Sequence, residues 1–192
     1  MNYLVTLVKL GSFSISQDAV AARLKALLDD VISSNRALTT RFGELSSVSW
    51  ATSCPASYNA WDLLIYFVPN SRESIMRGVN PNAGAGVNGL TAWRFSGSGA
   101  TRTEETGSEV YANTGGGDAT LLGNLAFHEA LHNKGQLSDR QLHGHGGLAG
   151  ETVTNATQMT NGVRRLMAGL LGGNRPQWLG GCTYYNDPLR GI

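Results

Sequence analysis

Charge is scarce in this chain. Only 15% of its 192 residues are Asp, Glu, Lys or Arg, and the formal net charge is +1. That balance excludes a disordered polyelectrolyte and leaves no electrostatic case for a nucleic-acid partner. Twelve of the 15 basic residues are arginine and they are dispersed; the adjacent Arg164 and Arg165 read as a solvated helix face rather than a phosphate site. Long apolar runs are also missing, none approaching the roughly 18 residues of a membrane span, so no membrane partner is expected. The opening MNYLVTLVKLGSFSISQDAV has no basic stretch before its apolar run, carries Lys9 inside it and shows no small-residue cleavage site, so it does not read as a secretory signal. The expectation is a chain that is cytoplasmic as synthesised, and either stays in the cytosol or is delivered by a dedicated secretion or injection machine. Cysteine is nearly absent: Cys54 and Cys182 lie too far apart in sequence to suggest a framework and are expected as reduced, buried thiols.

What is present suits one domain over residues 1–192, a length that can bury a real core. Residues 2–10 are branched and aromatic enough for an inner strand. Ser16 can cap a helix over 16–34, where Val20, Leu24, Leu27, Leu28 and Val31 recur at helical spacing. Residues 46–52 and the near-continuous apolar run 61–68 read as strands, the second covered on both faces. The Gly, Asn and Pro content of 79–90 predicts an exposed loop. LTAWRFS (90–96) and SEVYANT (108–114) are shorter candidate strands. Asp118 can cap a helix over 119–134, with Gly135 as its left-handed terminus, and residues 153–173 carry the pattern of a last helix with Met159, Val163, Leu166, Met167 and Leu170 on its apolar side. The fold class is α/β, more strictly α+β: a twisted mixed sheet with a backing helix, a histidine-bearing helix and a C-terminal helix.

All four histidines of the chain, His128, His132, His143 and His145, fall within residues 126–147. In His128-Glu129-Ala130-Leu131-His132 the two histidines are four residues apart, so a helix stacks them on one face where both can bind a single Zn2+. Glu129 is rotated about 100° from His128, free to act as a base on a water polarised by the metal. HExxH on a helix marks metal-assisted amide hydrolysis. At this chain's own residue frequencies about 0.003 such matches are expected by chance. The match also lies on an otherwise apolar helix, where idle polar groups would be costly, so chance is the weaker explanation.

HEALHNKG resembles the first eight positions of the metzincin pattern HExxHxxGxxH, including the glycine at Gly135, and the order of elements is similar to a metzincin catalytic domain. The resemblance implies a zinc endopeptidase holding one Zn2+ per chain, with His128 and His132 as ligands and Glu129 as general base. It also implies an extended peptide or protein substrate paired with an edge strand, for which SEVYANT is the candidate. The third ligand of the pattern falls on Ser138, whose hydroxyl is a poor zinc ligand. His143, which matches the imidazole chemistry of the other two, is the first choice; Asp139 and His145 are the alternatives. If His143 binds, Asp139 could accept a ligand N–H. Met159 and Met167 fit core packing as well as a methionine turn, and Tyr184 and Tyr185 stay outside the catalytic set. A deformylase would need a cysteine segment that neither Cys54 nor Cys182 provides, and a gluzincin would have only Glu151 as its downstream carboxylate. The rival from another class is a non-catalytic structural or cargo protein whose zinc site is closed by four protein ligands.

Overall fold

The computed structural model describes residues 2–76 and 87–185, apart from the side chains of Ser96 and Tyr184. The predicted loop 79–90 therefore lies mostly outside the described residues, as does the tail beyond 185. Strand β1 (Tyr3–Lys9) leads into helix α1 (Gln17–Ser33) and a short helix α2 (Arg36–Phe42). Strands β2 (Ser46–Ala51) and β3 (Leu63–Val68) follow, then β4 (Gly89–Ser96) and β5 (Thr103–Tyr111). Four helices complete the chain: α3 (Ala119–Gly135), α4 (Asp139–Leu142), α5 (Asn161–Leu170) and α6 (Gly181–Tyr185). The sheet order is β2-β1-β3-β5-β4, parallel throughout except for β4, which runs antiparallel to β5. The expected mixed α/β sheet is what forms.

Burial explains the strand patterns. All six residues of β3 are buried because both faces of the sheet are covered. Leu63, Ile65 and Phe67 join the core under α1 and α3, while Leu64, Tyr66 and Val68 pack with Ile75, Met76, Trp178 and Cys182 on the other face. A run covered on both sides loses the alternation of a half-exposed strand. The predicted stripe of α1 is buried as a unit, joined by Ile32. Helix α2, unread in the sequence, starts where the Asn35 side chain accepts from the amides of Ala37 and Leu38.

Four expectations need correction. SEVYANT is not an edge strand: β5 lies between β3 and β4, and LTAWRFS, as β4, forms the edge. Ser108 and Glu109 of β5 are both fully buried. Ser74, Tyr111 and the Ile75 amide satisfy the Glu109 carboxyl there. The last helix is shorter than its apolar pattern. Residues 153–160 are not helical, Thr154 and Thr157 bond each other locally, and Thr160 caps α5 through the Val163 amide. Met159 therefore precedes the helix, while Met167 is core. At the end of α3 the left-handed residue is Gln136 (φ 49°), and Gly135 stays helical. A Cβ on Gly135 would meet Leu137 Cγ at 2.6 Å, so close approach is what this glycine permits. Finally, Cys54 and Cys182 form a disulfide with Cα atoms 6.0 Å apart, because the C-terminal segment returns across the second face of the sheet. Tyr185, on that segment, donates to Glu73 at 2.9 Å.

Candidate metal centre

Helix α3 is held where its histidine face must be dry. The Asp118 side chain accepts from the Leu121 amide at its start. In its middle Asn124 accepts from Arg23 and donates to the Thr154 carbonyl. At its end Lys134 is buried and donates to the carbonyls of Ala60, Trp61 and Asp62. Burial pushes that ammonium down to about 7. Every residue from Leu122 to Lys134 is buried, His128, Glu129 and His132 among them.

Both helix histidines are oriented by backbone carbonyls. His128 Nδ1 lies 2.9 Å from the Leu148 oxygen and His132 Nδ1 lies 2.6 Å from the Leu137 oxygen. A carbonyl only accepts, so each Nδ1 carries the proton and each Nε2 presents a lone pair. Those Nε2 atoms face each other at 3.2 Å. Two lone pairs at that separation repel unless they share a cation. In a tetrahedral zinc site, bonds of about 2.0–2.1 Å put two ligand nitrogens about 3.3–3.4 Å apart, which the observed pair approaches. Burial, then the neighbouring His132, pushes His128 down to about 4, and burial also lowers His132. Both rings are thus held in the neutral form that a metal requires.

His143 completes the set. The Ser138 and Gln141 side chains cap α4, buried Leu142 anchors it, and the chain delivers His143 one residue later. Its ring centroid is 5.3 Å from that of His128 and 5.6 Å from that of His132, and its buried Nε2 has no hydrogen-bond partner among the described residues. One ligand atom from each of His128, His132 and His143 falls within 4.8 Å of the others, an arrangement that can hold a metal ion. The alternatives do not join this trio. His145 is exposed on the far side of a tight 3-10 turn. Asp139 sits beside the trio with Oδ1 3.8 Å from His132 Nε2 and 4.0 Å from His143 Nε2. The acceptors of the helix histidines' Nδ1 protons are the Leu148 and Leu137 carbonyls, and the Asp139 carboxylate lies instead near the Nε2 atoms of His132 and His143.

Glu129 points from the same helix into the same cavity, of about 420 Å³, which opens between α3, β4 and the 137–153 segment. Thr91 of β4 donates to Glu129 Oε2 at 2.7 Å, and the Glu129 Oε1 atom lies where a Cβ on Gly89 would stand, 2.6 Å away. Burial pushes the Glu129 carboxyl up to about 8, the Thr91 bond opposes this, and the charges of Glu109 and Asp139 add to it. A carboxyl poised near neutrality can both take and return a proton. Sequence reasoning missed Thr91, Gly89 and the two carbonyls, since backbone acceptors and partners from a distant strand leave no local mark. Comparison of the chain with protein-family models, curated proteins and solved structures finds no match.

Proposed function

We propose that this protein is a zinc-dependent endopeptidase that cleaves an extended peptide, in the manner of the metzincins it resembles but with His143 in the third ligand position. One observation carries the reading: three converging imidazoles, two with Nε2 freed by carbonyls on Nδ1, share a cavity with a buried carboxyl. Three imidazole nitrogen donors suit zinc above the oxygen-seeking cations. Zinc, when bound, supplies a Lewis acid that polarises the scissile carbonyl and acidifies water. Glu129 accepts a proton on its carboxylate from the attacking water, the new C–O bond forms, and the same carboxyl returns the proton to the departing amine as the C–N bond breaks. Thr91 holds that carboxylate by one oxygen. The edge of β4, unpaired among the described residues and with Leu90, Thr91 and Trp93 lining the cavity, offers its backbone to an extended substrate.

The disulfide supports a working place that is oxidising, hence export, for which a dedicated secretion or injection machine is the route we favour. Among the described residues no helix is long and apolar enough to cross a membrane. The test of the activity is Glu129→Gln in zinc-loaded protein assayed against a broad peptide library. The variant should keep its zinc and lose at least about 10² in rate. Equal cleavage by variant and parent, or no cleavage by a zinc-loaded parent, refutes the reading, the second result in favour of a non-catalytic zinc staple.

A further inference from the structure

Helix α4 brings a second group to the metal site besides His143. Asp139, one turn earlier, has Oδ1 3.8 Å from His132 Nε2 and 4.0 Å from His143 Nε2. Nitrogen and oxygen ligands sharing one tetrahedral zinc would lie about 3.3–3.5 Å apart, so Oδ1 is roughly half an ångström farther from each of these two Nε2 atoms than a shared metal would require. A small rotation about its side-chain bonds closes that distance. Its exposure sets it apart from the three histidines. The Asp139 side chain is 83% exposed, whereas that of His143 is 23% and that of His132 is 8% exposed. His128 and His132 are therefore held by packing and by carbonyl bonds and His143 is partly buried, while Asp139 is exposed at the cavity lining with little packing to lose when it leaves. Water solvates it there, and it lines the same cavity as the three histidines.

We propose that Asp139 is a displaceable fourth ligand that closes the three-histidine site at rest and swings out when substrate enters. This rests on the reading of the trio as a zinc site and adds a built-in latch to it. The exchange is one of coordination alone: the carboxylate oxygen leaves and an oxygen of water or substrate takes the position, with no change of oxidation state. It also joins the two readings that the sequence left apart, since a closed site and an open one become two states of one site. A latch of this kind reduces the apparent affinity of any incoming ligand by the fraction of time the position is free.

The test compares the full-length parent with Asp139→Ala, an exposed position at which folding should be unaffected. Zinc is titrated against a chelator, Co2+ replaces zinc for visible spectroscopy, and acetohydroxamate probes the fourth position. Removing the carboxylate should weaken zinc by about tenfold or more and move the cobalt bands. If Asp139 occupies the position nine-tenths of the time, acetohydroxamate should bind the zinc-loaded variant about tenfold more tightly than the parent. Identical cobalt spectra and equal hydroxamate affinities would overturn the latch while leaving the peptidase reading standing. Hydroxamate binding to the variant but not to the parent would overturn displaceability and make Asp139 a permanent cap. Absence of zinc binding by both proteins would instead remove the site itself.

Discussion

Replacing His143 by alanine separates the third ligand from its alternatives in one thermal measurement. The ring is partly exposed and its buried Nε2 has no hydrogen-bond partner among the described residues, so metal-free protein should lose little by the change. The effect should instead appear in the increment that zinc adds to stability. With free zinc about 1,000-fold above its Kd, binding stabilises the folded state by about 4.1 kcal/mol. For a chain of 192 residues, each kcal/mol moves Tm by about 2–4 °C, so zinc should raise the melting temperature of the parent by roughly 8–16 °C. Losing a direct ligand should weaken zinc at least as much as the upper end for an outer partner, about a hundredfold. The remaining tenfold excess over Kd then contributes about 1.4 kcal/mol, or roughly 3–6 °C. Calorimetry with and without zinc, at one fixed free-metal concentration, reads this difference directly. His145→Ala serves as the control and should keep the full increment. A His143→Ala protein whose zinc-dependent rise equals that of the parent, with one zinc per chain retained, would refute the assignment.

Three further outcomes follow from the same geometry. Burial raises the Glu129 carboxyl to about 8, so between about pH 4.5 and 8 the folded, metal-free protein keeps a proton that the unfolded chain has released, and this group's contribution to stability falls as pH rises. Denaturant unfolding at pH 5, 6.5 and 8 should therefore show a smaller decline in Glu129→Gln than in the parent; parallel profiles would contradict the buried carboxyl. Gly89→Ala would place a Cβ 2.6 Å from Glu129 Oε1 and 2.9 Å from the Glu109 carbonyl, and should cost about 1–3 kcal/mol and displace the base. Unchanged stability and cleavage in that variant would mean that β4 does not press on Glu129. Thiol titration of unfolded, unreduced protein should find no free cysteine, and Cys54→Ser with Cys182→Ser should lower stability by about 2–4 kcal/mol. Two reactive thiols per chain would remove both the bond and the argument for an oxidising location.

Local rules were enough to locate two members of the candidate metal site. The spacing in His128-Glu129-Ala130-Leu131-His132 needs only a helical period to stack two imidazoles, and Asp118 needs only its neighbours to cap that helix. The stripe on α1 and the apolar run of β3 were legible for the same reason, since periodicity and run length are properties of contiguous residues. Tertiary structure decided everything that depends on which distant segments meet. His143, Asp139 and His145 are similar candidates in sequence, and only the packing of Leu142 and the turn after it aim His143 inward while leaving His145 in solvent. The Leu137 and Leu148 carbonyls that free Nε2 on the helix histidines carry no side-chain signature at all. The edge role expected of SEVYANT came from the resemblance alone, and the burial of Glu109 and Ser108 in β5 depends on Ser74, Ile75, Thr91 and Asn133 from other segments as well as on Tyr111 of the same strand. The Cys54–Cys182 bond was hidden by a separation of 128 residues that the fold reduces to 6.0 Å between Cα atoms. A helix face is set by the chain's own geometry, whereas a metal's remaining ligands, a buried carboxyl's partners and a disulfide are set by closure of the fold around them.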